Sequence, residues 1–128
     1  MDHDTDSYEK ISRAFLHDDP SGGLTRDRIL DNITLYWLTR TGTPAARIYW
    51  EGARAAALAA GRPSPKVSLP VAFTVFPDEI FKAPRSWAEQ VYPNLIYWGA
   101  VDRGGHFAAW EEPQLFASEL RAAFRSLR

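Results

Sequence analysis

Apolar residues in this chain fall first at helical spacing and then in short unbroken runs. Over residues 5–17, Tyr8, Ile11, Ala14 and Phe15 recur every three or four positions, and Ser21-Gly22-Gly23 ends that segment. Thr25 is placed to cap a second helix, with Asp27 in its first turn and Ile29, Leu30, Ile33, Leu35, Tyr36 and Trp37 along it. Gly42 is the expected stop. Thr43-Pro44 then starts a third helix as N-cap and first-turn proline, and an alanine-rich stretch from Ala53 to Ala60 carries it to Gly61.

The pattern changes after the linker-like Arg62-Pro63-Ser64-Pro65. Leu69–Phe76 is a nearly continuous apolar run, which fits a strand buried on both faces of a parallel sheet. Pro84 opens a short helix holding Trp87 and Val91, and Pro93 ends it. Leu95-Ile96-Tyr97-Trp98 reads as a second buried strand. A last helix begins at Pro113 and carries Phe116, Leu120, Phe124 and Leu127 on one stripe, leaving Arg121, Arg125 and Arg128 to a solvated face. Strand–helix–strand–helix at this spacing predicts an α/β class with a parallel βαβα unit. Two strands make a poor sheet alone, so the pattern looks like the end of a larger α/β protein.

Composition narrows the function classes. The chain has 128 residues, enough for one small domain, with 45% hydrophobic and 13% aromatic residues to form a core. A net charge of −1, with Lys and Arg dispersed among Asp and Glu, leaves no footprint for nucleic acid or an anionic membrane. No apolar run approaches the roughly 20 residues of a membrane span. The acidic start reads against a signal peptide. The absence of cysteine excludes disulfides and thiolate chemistry and suits a cytoplasmic protein. Asp2-His3-Asp4 and His17 match no recognised metal-ligand spacing.

Candidate chemistry sits after the two strands. Arg103-Gly104-Gly105-His106 puts one imidazole in what reads as a flexible Gly-Gly turn beyond the second strand. Phe76-Pro77-Asp78-Glu79 puts carboxylates beyond the first. In open parallel sheets ligands bind at these carboxyl ends. A carboxylate that accepts a hydrogen bond from one imidazole nitrogen fixes the tautomer and stabilises the cation formed when the other takes a proton. Glu79 is the expected acid and Asp78 its neighbouring rival.

Four blocks give the chain a family resemblance: Asn32-Ile33-Thr34-Leu35-Tyr36-Trp37-Leu38-Thr39, Arg47-Ile48-Tyr49-Trp50-Glu51, Phe76-Pro77-Asp78-Glu79, and Arg103-Gly104-Gly105-His106-Phe107-Ala108-Ala109-Trp110-Glu111-Glu112-Pro113. In order and spacing they resemble the C-terminal half of α/β-hydrolase-fold epoxide hydrolases of the microsomal branch. The resemblance implies that residues 1–43 are the C-terminal part of a helical lid and 44–128 the C-terminal part of the hydrolase core. In such enzymes, which detoxify epoxides, an aspartate attacks an epoxide carbon to form an alkyl-enzyme ester. Lid tyrosines hold the epoxide oxygen, and a histidine–carboxylate pair activates the water that hydrolyses the ester. His106 matches the general base, Glu79 its acidic partner and Tyr49 the second lid tyrosine. The route implied needs no metal or organic cofactor, and its substrate is a small epoxide.

The Gly-x-nucleophile-x-Gly elbow, the oxyanion loop and the first lid tyrosine do not occur in these 128 residues. The expectation is therefore the C-terminal portion of an epoxide hydrolase, inactive by itself, with the nucleophile outside the chain. The alternatives are another α/β-hydrolase, an esterase or haloalkane dehalogenase, or a non-catalytic fragment that associates with a polypeptide carrying the first half.

Overall fold

The computed structural model describes residues 5–62 and 66–128; the Asp2-His3-Asp4 segment and linker residues 63–65 lie outside them. The elements run α1 (Thr5–Leu16), α2 (Arg26–Thr39), α3 (Gly42–Ala59), β1 (Val71–Val75), α4 (Arg85–Val91), β2 (Leu95–Ala100), α5 (Ala108–Glu111) and α6 (Pro113–Ala123), then a 3-10 turn at Arg125–Leu127. Contacts divide the chain into two units, residues 27–64 and the remainder. Among the described residues no helix is long and apolar enough to cross a membrane.

The 27–64 unit consists of α2 and α3 joined by a tight turn. Its turn differs from the expectation that Gly42 stops α2 and Thr43-Pro44 starts α3. Arg40 makes the reversal itself at φ 55°, its N–H donating to Trp37 O at 3.1 Å while Thr41 N–H reaches Tyr36 O at 3.1 Å. This pair of bonds is the Schellman closure, normally built on glycine. Gly42 becomes the first residue of α3, which runs unbroken across positions 43 and 44. Pro44 still sits in the first turn, where a missing N–H costs nothing. No residue of α3 is buried.

In the other unit β1 and β2 pair in parallel, with Phe73 opposite Trp98 and Thr74 opposite Gly99. Side chains alternate between the faces. Phe73 meets Tyr92 edge-on at 5.2 Å and Trp98 at 5.5 Å on the α4 side. On the α6 side Phe76 stacks on Phe116 at 6.4 Å. Glu119 of α6 accepts from Thr74 Oγ1 (3.1 Å) and Tyr97 Oη (2.8 Å), tying the helix to both strands. Both strands are half-buried rather than buried on both faces as the sequence predicts, because each has one strand neighbour among the described residues. A gap of about 390 Å³ remains between Phe73, Val75 and Trp98 of the sheet and Trp87 and Val91 of α4.

The Gly22-Gly23 loop lies directly on α5. Gly23 N–H donates to Trp110 O at 2.7 Å, and a Cβ on Gly22 would stand 1.6 Å from Glu111 O. Gly22 also has φ +54°, which costs an L-residue about 1–2 kcal/mol. Gly22→Ala should therefore destabilise the chain by at least about 2 kcal/mol, read as a lowered urea midpoint. An unchanged midpoint would show that this loop does not rest on Glu111.

Candidate active site

Parallel pairing continues beyond the strands and brings their two loops together. Val101 N–H donates to Val75 O at 3.2 Å, and Asp78 N–H donates to Gly104 O at 3.1 Å. Asp78 and Gly105 form a parallel bridge. This close approach explains the glycines. A Cβ on Gly104, at φ +99°, would lie 2.8 Å from the Phe76 ring, and one on Gly105 would lie 2.6 Å from Asp6 Oδ2 and 3.2 Å from Asp78 Cβ. Both glycines are buried, so the pair expected to be a flexible turn is a packed crossing of two segments of the chain.

That crossing sets His106 against Glu79. His106 Nδ1 lies 2.8 Å from Glu79 Oε1, with the two side chains 40% and 33% exposed. Glu79 Oε1 also accepts from Ile80 N–H at 2.8 Å, so the carboxylate is aimed by its own backbone. A neutral imidazole that donates from Nδ1 to a carboxylate carries its basic lone pair on Nε2. The Phe107 ring meets the imidazole edge-on at 5.1 Å. Asp78, the rival acid, turns elsewhere: its Oδ2 lies 3.8 Å from Lys10 Nζ. Tyr49 lies on α3 and is 75% exposed. Among the described residues no group of three or more His, Cys, Asp or Glu side chains is placed to hold a metal ion.

Sequence reasoning missed two residues beside the pair. Glu111 of α5 is 1% exposed and takes three donors: Gly105 N–H at 2.8 Å and Lys10 Nζ at 2.6 Å on Oε2, and Phe107 N–H at 3.1 Å on Oε1. Lys10 of α1 also holds Asp6 at 2.6 Å. Burial pulls the Lys10 pKa down, but hydrogen bonds to Asp6 and Glu111, with their charges, outweigh this and raise it above its ordinary 10.5. One signal for Glu111 was present. A glutamate in the first turn of a helix can reach back to the N-terminal amides, as in a capping box. Lys10 had none, being 101 positions away.

A histidine held by a carboxylate at adjacent ends of a parallel sheet is an arrangement chemically able to move a proton. Comparison with known proteins gives the family. No protein-family model matches the chain. It is 56% identical over 110 residues to a Stigmatella aurantiaca protein with a provisional epoxide hydrolase name, covering 86% of this chain and 24% of that one. It is 41% identical over 104 residues to epoxide hydrolase 1 of Sus scrofa, covering 78% and 23%. The crystal structure of juvenile hormone epoxide hydrolase from Bombyx mori superposes with a TM-score of 0.67 at 28% identity, over 80% of this chain and 25% of that one. The chain is homologous to α/β-hydrolase-fold epoxide hydrolases and spans about a quarter of the length of the relatives it matches.

The raised Lys10 pKa carries a pH signature. Its stabilising contribution is fully present below the unfolded-state value of about 10.4 and is lost as pH rises through the higher folded value. Urea midpoints of the parent and Lys10→Met should therefore differ at about pH 9 and converge towards about pH 12. A constant difference across that range would exclude Lys10 as the titrating group.

Proposed function

We infer that this chain carries the general-base half of an epoxide hydrolase site. The Glu79–His106 contact is the observation that carries the reading, and the homology of the surrounding segment supports it. An aspartate supplied by the rest of the polypeptide, in the same chain or an associated one, attacks an epoxide carbon. The C–O bond breaks, and Tyr49 donates its hydroxyl hydrogen to the departing oxygen. A phenol O–H is a suitable donor to an oxygen that develops alkoxide charge. His106 Nε2 then takes a proton from water as that water adds to the ester carbonyl. Glu79 stabilises the imidazolium through Nδ1–H. On collapse the ester C–O bond breaks, the leaving diol oxygen takes the proton from His106 Nε2, and the proton of the acid so formed returns to the Tyr49 phenolate, which restores the carboxylate and releases the vicinal diol. An imidazole titrates near the working pH, which suits it to this step. The assignment of residues 1–43 to the lid and 44–128 to the core rests on the resemblance, whereas the contacts group Tyr49 with residues 27–64 and α1 with the strands. The substrate is a small epoxide, and the residues present require no cofactor.

Replacing the matching quarter of the Stigmatella protein with this chain tests the proposal. The hybrid should convert a styrene-type epoxide to its diol, whereas the isolated chain should show no turnover above background. His106→Ala in the hybrid should trap the alkyl ester, seen as an intact-protein mass increase of one epoxide. Tyr49→Phe should slow epoxide opening by about 10–100-fold, the scale of one lost transition-state hydrogen bond. A hybrid that hydrolyses an ester or a haloalkane in place of the epoxide would overturn the assignment, as would full turnover without His106.

A further inference from the structure

We propose that Glu111 is a positioning residue for His106, with Lys10 as the cation that holds it. The proposal rests on the general-base reading of His106 given above. Two of the three donors to Glu111 are the amides immediately before and after that histidine, Gly105 N–H and Phe107 N–H, one on each carboxylate oxygen. One rigid group therefore fixes the backbone on both sides of the imidazole. A carboxylate 1% exposed is costly to bury, and its three charge-assisted hydrogen bonds offset that cost. Lys10 Nζ faces three carboxylates, Asp6 at 2.6 Å, Glu111 at 2.6 Å and Asp78 at 3.8 Å, and so links α1 to both strand-end loops. The His106 side chain is 40% exposed, against 1% for Glu111. Its contact with Glu79 requires the backbone at 105–107 to stay where Glu111 holds it.

The test uses the 128-residue chain and no turnover, so failure of the epoxide hydrolase reading and failure of this proposal are separate results. The readouts are amide exchange at Gly105 and Phe107, and the imidazole nitrogen resonances of His106, which report the tautomer. In Glu111→Gln, exchange at both amides should rise by about 10–100-fold, and His106 should lose its Nδ1–H preference to the extent seen in Glu79→Gln. Lys10→Met should do the same in part, and Lys10→Arg should restore the parent signals. An unchanged tautomer in Glu111→Gln, with or without faster exchange, would overturn the proposal. So would equal loss of protection across β1 and β2, because Glu111 would then be holding the fold and not the loop.

Discussion

A carboxylate almost removed from water governs how the functional end of this chain is built. Ionised Glu111 cannot stay buried without donors, and the surrounding elements are arranged to supply them. Two come from the His106 loop and one from α1. The same requirement explains why α1, remote in sequence, is drawn to the sheet ends. Independently, Gly22 must be a glycine because its loop lies against the backbone carbonyl of Glu111. Removing the carboxylate would leave Lys10 facing Asp6 and Asp78 alone and two loop amides without their acceptor.

What could be read from the sequence divides along one physical line. Features set within a few residues were legible: the apolar runs of β1 and β2, the prolines bounding α4 and opening α6, and the chemistry at the two strand ends. Glu79 and His106 lie 27 residues apart, but consecutive parallel strands place their ends side by side, so topology alone juxtaposes them. Spacing alone left Asp78 as a rival and the family resemblance named Glu79; in the structure it is Glu79 that meets His106 while Asp78 turns to Lys10, because neighbouring residues leave a turn in different directions. The Arg40 reversal was illegible because the left-handed position falls on a residue that rarely adopts it. The Glu111–Lys10 pair was illegible because nothing local links positions 101 apart.

The strands show the limit of reading burial from composition. Val71–Val75 is apolar enough for the centre of a parallel sheet, yet every residue in it is only half-buried. An apolar run reports the environment a strand needs, and two strands with one helix per face do not supply it. Phe81, Trp87 and Leu120 stay exposed for the same reason. A segment spanning about a quarter of its relatives' length would be expected to carry such a sheet.

The half-buried sheet and the ordered loop crossing are compatible because they depend on different contacts. Sheet burial needs neighbours on both edges and both faces. The His106–Glu79 pair rests on the continuation of β1–β2 pairing through Val101 and Asp78, on the Ile80 amide that bonds Glu79, and on the loop amides that bond Glu111. All of these lie within one compact unit. Placing the His106–Glu79 pair on consecutive strand loops thus makes its geometry a local property of the segment. Tyr49 is a different case. It sits on α3, in the other unit, so the geometry of the pair is set without it.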